Sequence, residues 1–239
     1  MSTNSEINEI LKQVLERTFE KVQKAFDNNR ECLVKRGEKS SSNEVTTLVF
    51  PKYGEHRQGI EDKTRISEQE LRFAFTEAFE EIAKENNLFY SVETPTESKY
   101  LFNGENTPKI TDDKEGVGQS GNFDFVIHDD KLKRICLIEF KSGYPESKSF
   151  KKDFLKLANP NEDVDEINPL RYFIHLVEKF EKNKIDNRLK SANNIIDVRL
   201  NNKAVTVNYV LFSLSEDEDA IKSDLSDIIK EKSHIKYCK

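Results

Sequence analysis

The chain has 239 residues, 36% hydrophobic and 34% charged, with 16 Phe and no Trp, the make-up of a globular protein with a highly charged surface. No apolar run approaches the ~20 residues needed to span a bilayer, and the first residues lack the basic-then-apolar layout of a secretory signal, so the expectation is a cytoplasmic protein without a membrane partner. A formal net charge of −6 argues against coating nucleic acid through global charge, so any polyanion partner must be held by a local basic patch.

Residues 4 to 28 repeat Ile7, Ile10, Leu11, Val14, Leu15, Phe19, Val22, Ala25 and Phe26 at three- and four-residue intervals, which predicts an amphipathic helix. This helix either packs on the main core or pairs with a partner, including a second subunit in a possible homodimer. Residues 36 to 45 read as a polar loop. A second helix is predicted from Ser67, with Ser67 and Glu70 in capping-box spacing, an apolar stripe of Leu71, Phe75, Ala78, Phe79 and Ile82, and an end near Asn86-Asn87. "LFYSVETP" and "SKYLFNG", bounded by Pro95 and Gly104, suggest a hairpin, followed by a loop over 103 to 122.

"NFDFVIH" and "KRICLIEFK", joined by "DDKL", predict a second hairpin. Of the three cysteines, Cys32, Cys136 and Cys238, none falls in CxxC spacing, and Cys136 in this hairpin reads as a small core residue. "SKSFKKDFLKL" predicts a helix, "ANPNEDVDEINP" a loop, "RYFIHLV" a strand and the residues after it a helical segment. "AVTVNYVLFSL" predicts a further strand, and Ser215 with Glu218 would cap a last helix bearing Ile221, Leu225, Ile228 and Ile229. This order describes an α/β protein with helices around a mixed sheet.

Chemistry concentrates in "CLIEFKSG". Alternation along a strand puts Glu139 and Lys141 on one face, with Ile138 and Phe140 on the other. With Lys131 and Leu132 as the central turn residues, Asp124 falls directly opposite Glu139, although a one-residue bulge would break that register. Two neighbouring carboxylates repel unless a cation lies between them, and oxygen ligands suit a hard ion such as Mg²⁺, with Mn²⁺ as substitute. Asp124 and Glu139 are then the expected metal ligands, the main-chain carbonyl of Phe140 a third, and Lys141 the group that positions water or neutralises developing charge during phosphodiester hydrolysis. The alternative for Glu139 and Lys141 is a solvated ion pair.

"GNFDFVIHDDKLKRICLIEFK" resembles the core of the PD-(D/E)xK nuclease superfamily, with Phe123 in place of the signature proline, and the resemblance covers about residues 65 to 180. It implies a restriction-endonuclease-like αβββαβ core with a mixed central sheet flanked by helices. The implied division is 1–45 as an N-terminal amphipathic helix and loop, and 46–239 as the nuclease-like domain. It also implies a further acid from the upstream helix, for which Glu70 is the choice and Glu77 the runner-up. Glu70 has a competing role as the acceptor of the Ser67 N–H in a capping box.

The implied activity is metal-dependent cleavage of nucleic acid, most naturally by a DNA endonuclease of the restriction or defence kind acting on double-stranded DNA. The alternatives are a nuclease for branched DNA or RNA, and an inactive binding or assembly module. Between residues 130 and 156 eight residues are basic and four acidic. Within this stretch Lys148, Lys151 and Lys152 either form a phosphate-binding edge or a solvated helix face. His175 reads as a core or sheet-edge residue rather than a ligand.

Overall fold

The computed structural model describes residues 4–34, 48–51, 64–101, 109–111, 118–164, 168–200, 203–215, 224, 226–230, 232 and 234–237, the backbone alone for 28–34 and 237. Four helices and seven strands are described: α1 (Asn4–Val34), α2 (Glu68–Ala83), β1 (Phe89–Leu101), β2 (Lys109–Thr111), β3 (Gln119–His128), β4 (Arg134–Ser142), α3 (Ser147–Ala158), β5 (Leu170–Val177), α4 (Lys182–Leu200), β6 (Val207–Ser213) and β7 (Ile235–Tyr237). One mixed sheet runs in the order β2-β1-β3-β4-β5-β6-β7. Pairing is antiparallel from β2 to β4 and parallel from β4 to β7. Among the described residues, no helix is long and apolar enough to cross a membrane.

Helices cover both faces of the sheet, as parallel strands require. On one face Phe125, Ile138, Phe140 and Ile174 pack beneath α1 and α2. On the other, Val126, Leu137, Phe173 and Tyr209 pack beneath α3 and α4. Phe75 of α2 meets Phe125 and Phe140 edge-on, each at 5.2 Å between ring centroids. Phe154 of α3 stacks on Phe173 at 4.2 Å. The apolar stripe of α1 is buried in this same core, from Ile7 through Phe26, so it is occupied by α2 and the sheet of its own chain.

The first expected hairpin is a single strand. Pro95 lies opposite Asn122, the β1–β3 register slips between Pro95 and Lys99, and both halves of β1 remain paired with β3. The slip is tolerated because its backbone groups find partners elsewhere. The buried Glu162 carboxylate accepts the N–H groups of Glu97 and Ser98 at 2.7 and 3.1 Å, and Thr96 Oγ1 accepts the Gly121 N–H at 2.9 Å. Pro95 therefore bends the strand at a bulge instead of ending it.

The loop expected over 103 to 122 contains strand β2 and the start of β3. Neither β2 nor the last strand, β7, is apparent from periodicity, because three-residue strands carry too few alternations. α1 extends beyond residue 28 to Val34. Helix α2 ends through a short 3₁₀ turn, with Asn87 in the left-handed region at φ 51°, close to the expected position. The polar loop at 36–45 and Glu218 of the expected Ser215/Glu218 cap lie outside the described residues, although residues 226–230 are helical.

Candidate active site

β4 is buried along most of its length, so Glu139 and Lys141 cannot form a solvated pair. Glu139 and Lys141 are 1% and 6% exposed. The β3–β4 register has Phe125 opposite Ile138 and Val126 opposite Leu137. The turn that produces it is not the expected two-residue one. Asp129 and Lys133 close a three-residue loop, Leu132 takes the left-handed conformation at φ 59°, and the register shifts between Ile127 and His128. A longer loop and a bulge together return the strands to the register that a Lys131–Leu132 turn would have set.

Continued by one residue, that register brings Asp124 beside Glu139. There the ladder ends, and Asp124 Oδ2 accepts the Phe140 N–H at 2.8 Å. Asp124 Oδ1 accepts from Arg72 of α2 at 2.7 Å, and the other end of the guanidinium reaches Glu93 at 2.7 Å.

Helix α3 completes the other side. Lys141 Nζ lies 2.9 Å from Asp153 and 3.3 Å from Glu68, the first residue of α2. It also donates to the Phe140 carbonyl at 3.1 Å. Lys156 Nζ lies 3.0 Å from Asp153 and donates to the Asn122 carbonyl at 2.6 Å. It also pairs directly with Glu139 Oε1, so the lysine and that carboxylate are each other's counter-charge. Four carboxylates (Glu68, Asp124, Glu139, Asp153) thus meet three cations (Arg72, Lys141, Lys156).

The protonation equilibria follow from this crowding. Burial, opposed by Lys156 and reinforced by Asp153 and Asp124, holds the Glu139 carboxyl well above the usual range. Asp153 is equally desolvated, but Lys156 and Lys141 outweigh burial and hold it low. Lys141 is desolvated too, yet Asp153, Glu68 and Glu139 raise it above the ordinary lysine value, so it remains an ammonium at neutral pH. Burial raises Glu68 despite Lys141.

The structure gathers Asp124, Glu139, Lys141 and the Phe140 carbonyl as the sequence led one to expect, but it does not bring in Glu70. Glu70 takes the Ser67 hydroxyl and lies 3.7 Å from Arg65. The capping-box spacing is real, although the Ser67 side chain bonds the Glu70 carboxylate rather than a backbone N–H. Glu77 pairs with Lys21 of α1 at 3.1 Å. The acid that α2 sends to the cluster is Glu68, half-buried and in line with Leu71 one turn on, whereas Glu70 turns to Ser67 and Arg65. A charged residue at a stripe position was the missed signal. Asp153 gives the same signal in α3, between Phe150 and Phe154. Lys148, Lys151 and Lys152 lie partly exposed on α3.

Every oxygen at the end of β4 is a hard donor. Asp124, Glu139 and the Phe140 carbonyl suit a divalent ion that keeps part of its water shell, as Mg²⁺ does when held by one or two carboxylates. Glu139 Oε1 could take that role by giving up its contact with the Lys156 ammonium. Among the described residues, no group of three or more His, Cys, Asp or Glu side chains is assembled as a metal cage, so water would have to supply the remaining positions. The chain matches no family model, no curated protein and no solved structure.

Proposed function

We propose that this protein is a Mg²⁺-dependent phosphodiesterase acting on nucleic acid, most naturally a DNA endonuclease built on a restriction-endonuclease-like core. The observation that carries the reading is the convergence of Asp124, Glu139 and Lys141 where β3 and β4 part, inside an element order of α2, β1, β3, β4, α3 and β5. In this reading Asp124, Glu139 and the Phe140 carbonyl hold the ion, which would supply Lewis acidity and a bound water of lowered pKa.

The chain's own groups divide the remaining work. Water adds to phosphorus as the bond to the 3′ oxygen breaks, the proton lost by the water passing to solvent and a solvent proton returning to the leaving oxygen, which gives a 5′-phosphate and a 3′-hydroxyl, the usual products in the nuclease superfamily that the sequence resembles. Lys141, held as an ammonium, stabilises charge developing on the phosphoryl oxygens and is not the acceptor of the water proton. Glu68 and Asp153 fix the direction of that ammonium. Lys148, Lys151 and Lys152, on the same helix as Asp153, are the proposed backbone-contacting cations, and their share of binding should weaken with salt. The test is incubation of plasmid with purified protein and Mg²⁺ or Mn²⁺. Cleavage is expected from the wild type and not from Asp124→Asn or Lys141→Ala, and intact plasmid with folded wild type overturns the proposal.

A second reading, a binding module that has lost turnover, draws on a different observation. Each carboxylate in the cluster already has a cation of its own chain. Nucleic acid held in Ca²⁺ and left uncut in Mg²⁺ would favour that reading. Competition among linear duplex, branched DNA and single-stranded RNA separates the substrate classes.

A further inference from the structure

The least expected member of the cluster is Lys156. Its side chain is 2% exposed, and its ammonium is ringed by three oxygens from three elements: Glu139 of β4, Asp153 of α3 and the Asn122 carbonyl of β3. Its three donors therefore have three acceptors. The Phe123 ring lies 5.7 Å from Nζ, and the helix that carries it is anchored by Phe150, Phe154 and Leu157 in the core. A cation so placed answers a physical need. Glu139 and Asp153 are both buried, and an uncompensated pair of buried carboxylates would be strongly destabilising.

Lys141 meets this need for Glu139 only at a distance, because its ammonium is engaged by Asp153, Glu68 and the Phe140 carbonyl. Lys156 is the cation in direct contact with Glu139, through Oε1. Resting on the nuclease reading above, we infer that Lys156 is a tethered counter-cation which a divalent metal must displace from Glu139. It keeps the metal-free fold neutral enough to be stable, and it makes ion loading a competition with an intramolecular ammonium. Lys156 is thus a positioning residue whose removal strengthens metal binding, in contrast to Lys141, whose removal abolishes cleavage.

The experiment is calorimetric titration of Mn²⁺ and Ca²⁺ into the full chain as wild type, Lys156→Gln and Lys12→Gln, with plasmid cleavage measured alongside. Lys156→Gln should bind both ions tighter by on the order of tenfold, as expected when a like charge is removed from beside a partly desolvated ion. Lys12→Gln, an exposed cation on α1, should leave the affinity unchanged. Wild-type cleavage with no gain in affinity for Lys156→Gln overturns this inference and leaves the nuclease reading standing. Tighter binding by Lys156→Gln with no cleavage by any form does the reverse, and absence of both binding and cleavage overturns both. Should Lys156→Gln fail to fold, side-chain ¹⁵N spectra of lysine-labelled wild type decide the matter. The Lys156 ammonium signal should shift or be lost to exchange on saturation with Ca²⁺, and an unchanged signal overturns the inference.

Discussion

Lys141 Nζ lies 2.9 Å from Asp153 Oδ2, and both side chains are less than a tenth exposed. This pair joins the end of β4 to α3 and fixes the ammonium at the heart of the cluster. Removing one partner leaves a buried charge uncompensated, which costs about 3–5 kcal/mol. Asp153→Ala should lose stability in that range in urea unfolding, since it takes a buried carboxylate from both Lys141 and Lys156. A loss below about 1 kcal/mol, the value of a surface pair, would show that these charges are solvated.

Glu68 and Glu70 lie two residues apart on α2, but Glu68 faces Lys141 and Glu70 faces Ser67 and Arg65. Glu68→Gln should reduce metal-dependent cleavage by about 10- to 100-fold, the usual effect of losing a group that orients a catalytic residue. Glu70→Gln should leave the cleavage rate near that of the wild type. The reverse order in a side-by-side plasmid assay would reject the assignment of Glu68.

His175 is buried between Tyr209 and the Gly143 carbonyl. The carbonyl can only accept, so Nε2 carries the proton and donates at 2.6 Å, and Nδ1 accepts from the Tyr209 hydroxyl at 2.8 Å. Burial, opposed by the Gly143 contact and aided by Arg188 and Lys141, lowers its pKa from 6.5 to about 4. Between those values the unfolded chain binds a proton that the folded chain does not, so stability falls as pH drops from 6.5 towards 4, by up to about 3 kcal/mol. His175→Gln should have a flatter pH profile of unfolding free energy over that window. Parallel profiles for the two proteins would contradict it.

Glu162 accepts from Glu97 N, Ser98 N and the Tyr100 hydroxyl, the last at 2.7 Å. Glu162→Ala strips these donors of their partner at the β1 bulge, and each buried donor left unpaired costs ~1–3 kcal/mol. A loss on the order of 3 kcal/mol is expected from chemical denaturation, with partial recovery in Glu162→Gln. An unchanged midpoint in Glu162→Ala would mean that water replaces the carboxylate.

Much of the strand architecture could be read before any coordinates. β3, β4 and β5 are apolar runs with turn residues between them, and the "DDKL" turn led to the right register at Phe125 although the loop itself is longer and bulged. The Pro95 run misled because proline usually ends a strand. Its survival depends on Glu162, 67 positions along the chain from Pro95, which no local pattern reveals. The capping-box spacing of Ser67 and Glu70 pointed to the wrong acid, because it reports on the helix terminus and not on the face turned towards the sheet.

The sequence by itself determined that Glu139 and Lys141 would share one strand face, because side chains alternate with a period of two along a strand, whereas Asp124 joins them through a bulge that offsets the longer loop. Only the tertiary structure decided which groups surround them. Glu68, Arg72, Asp153 and Lys156 come from helices, where each residue is rotated about 100° from the last. The side of a helix that meets the sheet is therefore set by how the two layers pack.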